Sequence, residues 1–235
     1  MRLAIDIGNT AVKWATFEGK KLTDFGYGIP EKLPQPAANA LVCASGDLAK
    51  VQPLLDSPNF HFSIFNSSMP LPIRLDYKTP GTLGADRIAD ACGAAGLHPG
   101  ASCLVIDAGT CITVDFVDAN GTYHGGAIMP GLGMNLQALH AYTAKLPLVS
   151  LEGVERAPVL GRSTEESIQA GTLGATLLAL AGFVALYKEK APGLRVLLTG
   201  GDADRLMAAG ANSGWEHQPH LTLIGLNEIQ LYNEK

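Results

Sequence analysis

The strongest constraint on how this chain can fold is a short phrase that it spells twice. From Leu3 to Lys13 an apolar strand runs into Asp6-Ile7-Gly8-Asn9-Thr10 and on into a second strand. From Val105 to Phe116 the chain again reads strand, Asp107-Ala108-Gly109-Thr110, strand. Gly8 and Asn9 take φ > 0 more readily than other residues, so the first copy is expected to fold back as a tight hairpin with left-handed backbone at its tip. Such a turn lines up backbone N–H groups, the Thr10 hydroxyl and the Lys13 ammonium around one anion-sized space, with Asp6 at its lip. That arrangement suits a phosphate and its Mg²⁺. Asp-x-Gly-Asn is also an ordinary hairpin turn. The second copy favours the phosphate reading, because two domains facing each other across a nucleotide would each need one such hairpin.

At 235 residues the chain suffices for one large domain or two small ones, and 47 % hydrophobic with 17 % charged residues describes a well-packed globule. A net charge of −5 with no basic run argues against nucleic acid as a main partner, so local groups must hold any anionic substrate. Cys43, Cys92, Cys103 and Cys111 lie in apolar segments without C-x-x-C spacing or clustered His. They read as reduced core residues, not disulfides or zinc ligands. Met1-Arg2 leads straight into the first strand with no secretory leader. The stretch from Ala170 to Tyr187 is broken by Gly171, Gly174 and Gly182, and reads as a buried helix, not a membrane span. A cytoplasmic location with no membrane partner is expected.

The remaining sequence alternates. Lys21 to Tyr27 suits a third strand, Pro30, Pro34 and Pro36 a loop, Leu41 to Ala44 a strand, Leu48 to Leu55 a helix and Phe60 to Phe65 a strand. Met69 to Pro80 reads as a loop that delivers Gly84-Ala85-Asp86-Arg87 to the start of a small-residue helix. Asp86 there could simply cap the helix, whereas Arg87 opposes the helix macrodipole and calls for an anion. Pro99-Gly100 marks a boundary, giving domains 1–100 and 101–235. Beyond it, Gly125, Gly126, Gly131 and Gly133 imply close backbone approach. Ser163-Thr164-Glu165-Glu166 has the capping-box spelling and opens a long apolar helix.

In this order the motifs resemble those of the type III pantothenate kinase family, within the acetate and sugar kinase, Hsp70 and actin superfamily. The resemblance rests on Asp6 to Lys13, on Tyr77 with Gly84 to Arg87, and on Asp107 to Asp115. It rests also on Gly125 to Gly131, Ala144-Lys145-Leu146-Pro147 and Ser163 to Ile168. It implies an α/β fold of two actin-like (ribonuclease H-like) half-domains, each a mixed sheet opening with an antiparallel meander and flanked by helices. It further implies an ATP-dependent pantothenate kinase. Asp6, Ile7, Gly8, Asn9, Thr10, Ala11, Val12 and Lys13 would hold the ATP phosphates, with Mg²⁺ at Asp6, and Thr110 would grip the nucleotide from the second hairpin. Asp107 would help to hold a monovalent cation, K⁺ or NH₄⁺. Tyr77, Gly84, Ala85, Asp86 and Arg87 would bind pantothenate, and Asp86 would be the catalytic base. Thr164 would contact pantothenate from the partner subunit of a homodimer. Two departures, Cys111 in place of an expected alanine and Ser163 where asparagine is common, leave these roles standing. Another superfamily kinase acting on a sugar or small acid, or a non-catalytic ATP-binding regulator, remains an alternative on sequence alone. The first would be expected to carry more polar residues around a polyol, and the second would not need Asp86.

Overall fold

A computed structural model of the chain describes residues 1–29, 40–52, 56, 61–156, 158–211 and 214–234. Four of the six residues of β1 (Arg2–Ile7) are buried, as befits a strand covered on both faces. β1 is the centre of a five-stranded sheet of order β3-β2-β1-β4-β5. β2 (Val12–Glu18) and β3 (Lys21–Tyr27) complete an antiparallel meander on one side. β4 (Ala40–Ala44) and β5 (Phe62–Ile64) add in parallel on the other. After β4 the expected helix begins as a 3₁₀ turn, Leu48–Val51, capped by Asp47. Residues 53–55 and the loop prolines Pro30, Pro34 and Pro36 lie outside the described residues.

The proline-rich loop contains a strand that the sequence did not suggest, β6 (Arg74–Leu75). It is followed by α1 (Ala85–Leu97), β7 (Cys103–Ala108), β8 (Cys111–Val117) and β9 (Thr122–Pro130). β6 exists because Thr122 and Tyr123 of β9 supply a parallel partner for its two residues. Then come α2 (Leu132–Ala141), α3 (Thr164–Lys190), β10 (Arg195–Thr199), α4 (Ala203–Ala208), β11 (Glu216–His217) and α5 (Leu221–Asn233). The second sheet has the order β11-β10-β7-β8-β9-β6, with β10 parallel to both β7 and β11. Both sheets are mixed and flanked by helices, as expected.

The chain forms two compact units. One comprises Met1–Gly100, Val117–Gly125 and His220–Lys235; the other comprises Ala101–Phe116 and Gly126–Pro219. The grouping follows side-chain packing more than chain order. Leu223, Leu226 and Ile229 of α5 share a core with Ala4, Phe17, Cys43 and Ile88, so α5 belongs with the first unit. The second unit has its own core, built on Leu104, Ile106, Leu173, Leu180 and Leu198.

Three expectations need correction. The tip of the first hairpin holds no left-handed residue, for neither Gly8 nor Asn9 has a positive φ. What glycine spares there is a tight contact, 3.1 Å, between a Cβ and the Ala11 carbonyl. Cys43, Cys92 and Cys103 are buried, but Cys111, the first residue of β8, is exposed. The stretch from Ala170 to Tyr187 lies in a helix of 27 residues that is long and apolar enough to cross a membrane by length and composition alone, and its most apolar part is only 33 % buried. Ile168, Thr172, Leu173, Leu180 and Val184 face the unit's core, while Leu178 and Leu186 are 65 % and 58 % exposed. This helix is therefore buried along one face only.

Candidate active site

In the first unit the Asp6 hairpin is braced from two sides. Gly8 N–H donates to the Ala11 carbonyl (2.9 Å), and Ser45 and Gly46 N–H, in the loop after β4, donate to the Ile7 carbonyl (3.1 and 2.8 Å). A Cβ added to Gly46 would collide with the Gly8 carbonyl, and one on Gly8 would lie 3.1 Å from the Ala11 oxygen. Within this frame Asp6 pairs in register with Lys13 and is half-buried, while Asn9 and Thr10 are exposed. Asp6, Thr10 and Lys13 thus lie at one end of β1 and β2, on the strands and the turn between them.

Asp86 lies in the first turn of α1 and accepts the Arg87 N–H (2.8 Å). It does not cap the helix. The N-cap is Gly84, which offers no side chain and leaves room for the carboxylate, since a Cβ there would lie 2.6 Å from Asp86 Oδ1. Arg87 is buried at 6 % exposure. Burial raises the Cys43 thiol well above its ordinary pKa, and the Asp6, Asp86 and Asp90 carboxylates raise it further. Asp90 was missed by sequence reasoning. It is 1 % exposed and accepts the Thr222 hydroxyl at 2.7 Å. Its position four residues after Asp86 in an otherwise apolar helix was the available signal.

Tyr77 follows β6 and is half-buried, with its ring against the backbone of Gly125 and 6.0 Å from the Tyr123 ring centroid. Gly125 has φ +85°, and a Cβ there would lie 3.1 Å from the Tyr77 ring. The close approach expected of the glycine cluster also holds at Gly126, packed on Val114, and at Gly131, packed on Gly109 and Thr110. It does not hold at Gly133, which has open space around it.

The second unit carries the other hairpin. Gly109 N–H donates to the Cys111 carbonyl (3.0 Å), and Gly131 N–H to the Thr110 carbonyl (3.1 Å). Gly200 (φ +96°) lies so close that a Cβ would strike the Ala108 carbonyl and the Asp107 carboxylate. Asp202 N–H donates to the same Ala108 carbonyl at 2.8 Å. A carboxylate and a backbone carbonyl, both oxygen donors, therefore meet at the end of β7. Sequence reasoning read the Thr199-Gly200-Gly201-Asp202 turn but not its carboxyl, which burial holds above the ordinary aspartate value. Thr164, exposed at the start of α3, lines a groove of about 820 Å³ with Leu139, Leu146, Arg162 and Ser163. Ser163 caps α3 by accepting the Glu166 N–H (3.1 Å), while Glu166 reaches back one residue further than a capping box requires, to the Arg162 N–H (2.6 Å).

Residues 47–186 match the model of the type III pantothenate kinase family. A type III pantothenate kinase of Bacteroides fragilis is 41 % identical over 99 % of this chain and 98 % of its own. The chain belongs to the type III pantothenate kinase family. It is an ATP-dependent kinase whose acceptor is the primary hydroxyl of pantothenate, the first step towards coenzyme A. Solved structures agree on the fold. A Campylobacter jejuni protein named as a candidate Baf family transcriptional activator superposes with a TM-score of 0.62 at 21 % identity, covering 99 % of this chain and 98 % of its own. A Listeria monocytogenes protein named as a candidate N-acetylmannosamine kinase does so with a TM-score of 0.56 at 12 % identity, covering 100 % and 99 %. The kinase thus has the actin-like fold that the family resemblance implied.

Proposed function

We propose that Asp86 is the base of this pantothenate kinase, with Asp6 to Lys13 holding the ATP phosphates. The observation that carries this reading is the placement of Asp86 in the first turn of α1, where it accepts the Arg87 N–H (2.8 Å), has the room that Gly84 leaves for its carboxylate, and lies beside the buried Arg87. Asp86 takes the proton of the primary hydroxyl as that oxygen attacks the γ-phosphorus, and the bond from that phosphorus to the bridging oxygen breaks to release ADP. A positioned base of this kind contributes ~10²–10⁴-fold to rate. Arg87 supplies a cation next to the base, and with Tyr77, Gly84 and Ala85 it binds pantothenate.

Mg²⁺ asks for one or two carboxylates together with phosphate oxygens and water, not for an all-protein cage. Asp6 with the Thr10 hydroxyl fits that demand, and among the described residues no cluster of three or more His, Cys, Asp or Glu offers a cage. When bound, the ion neutralises charge on the triphosphate. Asp107 and the Ala108 carbonyl are hard oxygen donors suited to K⁺ or NH₄⁺, and Thr110 of the same hairpin binds the nucleotide.

The exposed face of α3 supports a homodimer, in which Thr164 contacts pantothenate bound by the partner subunit. The lack of a basic run and the biosynthetic substrate support a cytoplasmic enzyme without nucleic acid or membrane partners. A coupled ADP-release assay tests the central reading. Turnover is expected with pantothenate and not with glucose, acetate or no acceptor, and ADP release that ignores the acceptor would defeat it.

A further inference from the structure

His124 of β9 stands between two carboxylates. Its Nδ1 lies 3.1 Å from Asp76 Oδ2 and its Nε2 3.0 Å from Asp118 Oδ2. Carboxylates only accept hydrogen bonds, and a neutral imidazole has one N–H to give. Both contacts can therefore be hydrogen bonds only when the ring is protonated. The two carboxylates are themselves anchored on different segments. Asp118 Oδ1 accepts the Asn120 and Thr122 N–H groups (both 2.9 Å) and so belongs to the β8–β9 turn. Asp76 follows β6, and its N–H donates to the Tyr123 carbonyl (2.9 Å). Tyr77 comes next, with its ring on Gly125 and beside Tyr123, the two neighbours of His124 in β9. The imidazolium is thus a strap across the segment that presents Tyr77.

We propose that His124 is a positioning residue for pantothenate: its protonated ring ties Asp76 to Asp118 and thereby seats Tyr77. This rests on the reading of Tyr77 as a pantothenate residue. The Asp118 hydrogen bond, opposed by partial burial and helped by Asp76, holds the His124 pKa above its ordinary value. The charged groups facing the strip are Asp76 and Asp118, together with Arg74 of β6, whose Nη2 lies 3.2 Å from the Thr122 hydroxyl. With the pKa raised in the folded enzyme, the strap is complete below the ordinary histidine value and is lost as pH rises through the folded one. The ring is exposed, so the effect is modest.

The test measures KM for pantothenate, KM for ATP and kcat from pH 6 to pH 9 in wild type, His124→Gln and Tyr77→Ala. In wild type, pantothenate KM should rise about threefold across this range, the scale of partly exposed ion pairs, while ATP KM stays level. In His124→Gln it should already sit at the high-pH value and stay flat. Reciprocity requires that saturating pantothenate raise the His124 pKa read by NMR from its ring proton. A raised KM in Tyr77→Ala together with identical pH profiles in wild type and His124→Gln overturns the role of His124 alone. A wild-type KM in Tyr77→Ala overturns the reading of Tyr77, and the proposal with it.

Discussion

Gly46 is packed so tightly on the Gly8 carbonyl that no side chain fits between them. The atoms in the way are backbone, so they cannot rotate aside as a flexible side chain would. Gly46→Ala must therefore push the Asp6 hairpin out of shape, at the ~1–3 kcal/mol typical of overpacking. ATP KM should rise about tenfold, with pantothenate KM far less affected, as steady-state kinetics would show. An alanine enzyme with native ATP affinity would mean that the hairpin does not hold the nucleotide.

Asp86→Asn keeps the size and the fit beside Gly84 while removing the basic oxygen. Turnover should fall at least ~10²-fold with ATP KM little changed. Single-turnover measurement of phosphopantothenate formation checks this, and near-normal turnover would rule Asp86 out as the base.

Asp6 and Asp107 both bring negative charge to hairpins assigned to an anionic nucleotide, so cations must offset it. Activity in Na⁺ or Tris buffers should be very low and should recover on adding K⁺ or NH₄⁺. Asp107→Asn should weaken that response by raising the K⁺ concentration needed for half activation. Full activity without either ion would contradict the assignment.

The exposed leucines of α3 can be made hostile to a partner. Leu178→Glu with Leu186→Glu should leave the fold intact by circular dichroism and convert a dimer to a monomer by light scattering. If Thr164 acts on the partner's pantothenate, KM for that substrate rises in the monomer. A wild-type chain that is monomeric at micromolar concentration would end this reading.

Much of the site was legible because it is local. Asp-x-Gly between apolar strands announces a turn wherever it occurs, and Gly84-Ala85-Asp86 announces a helix start. What escaped detection depends on distant partners. The space that a side chain on Gly46 would need is taken by the Gly8 carbonyl, the two residues of β6 need Thr122 and Tyr123, and the carboxyl of Asp90 finds Thr222. The exposed face of α3 was missed for a related reason. An apolar run shows that a surface wants covering without showing whether the same chain covers it.

α5 closes the unit that β1 begins. Arg2 Nε donates to Asn227 Oδ1 (2.9 Å), Gln230 Nε2 donates to the Leu3 carbonyl (3.2 Å), and three α5 side chains complete the core above Phe17 and Cys43. During synthesis, then, the first hairpin leaves the ribosome long before the helix that seals its floor. Residues 221–233 must emerge before β1 gains its final cover, so a half-translated chain carries the Asp6 hairpin without the rigid scaffold beneath it.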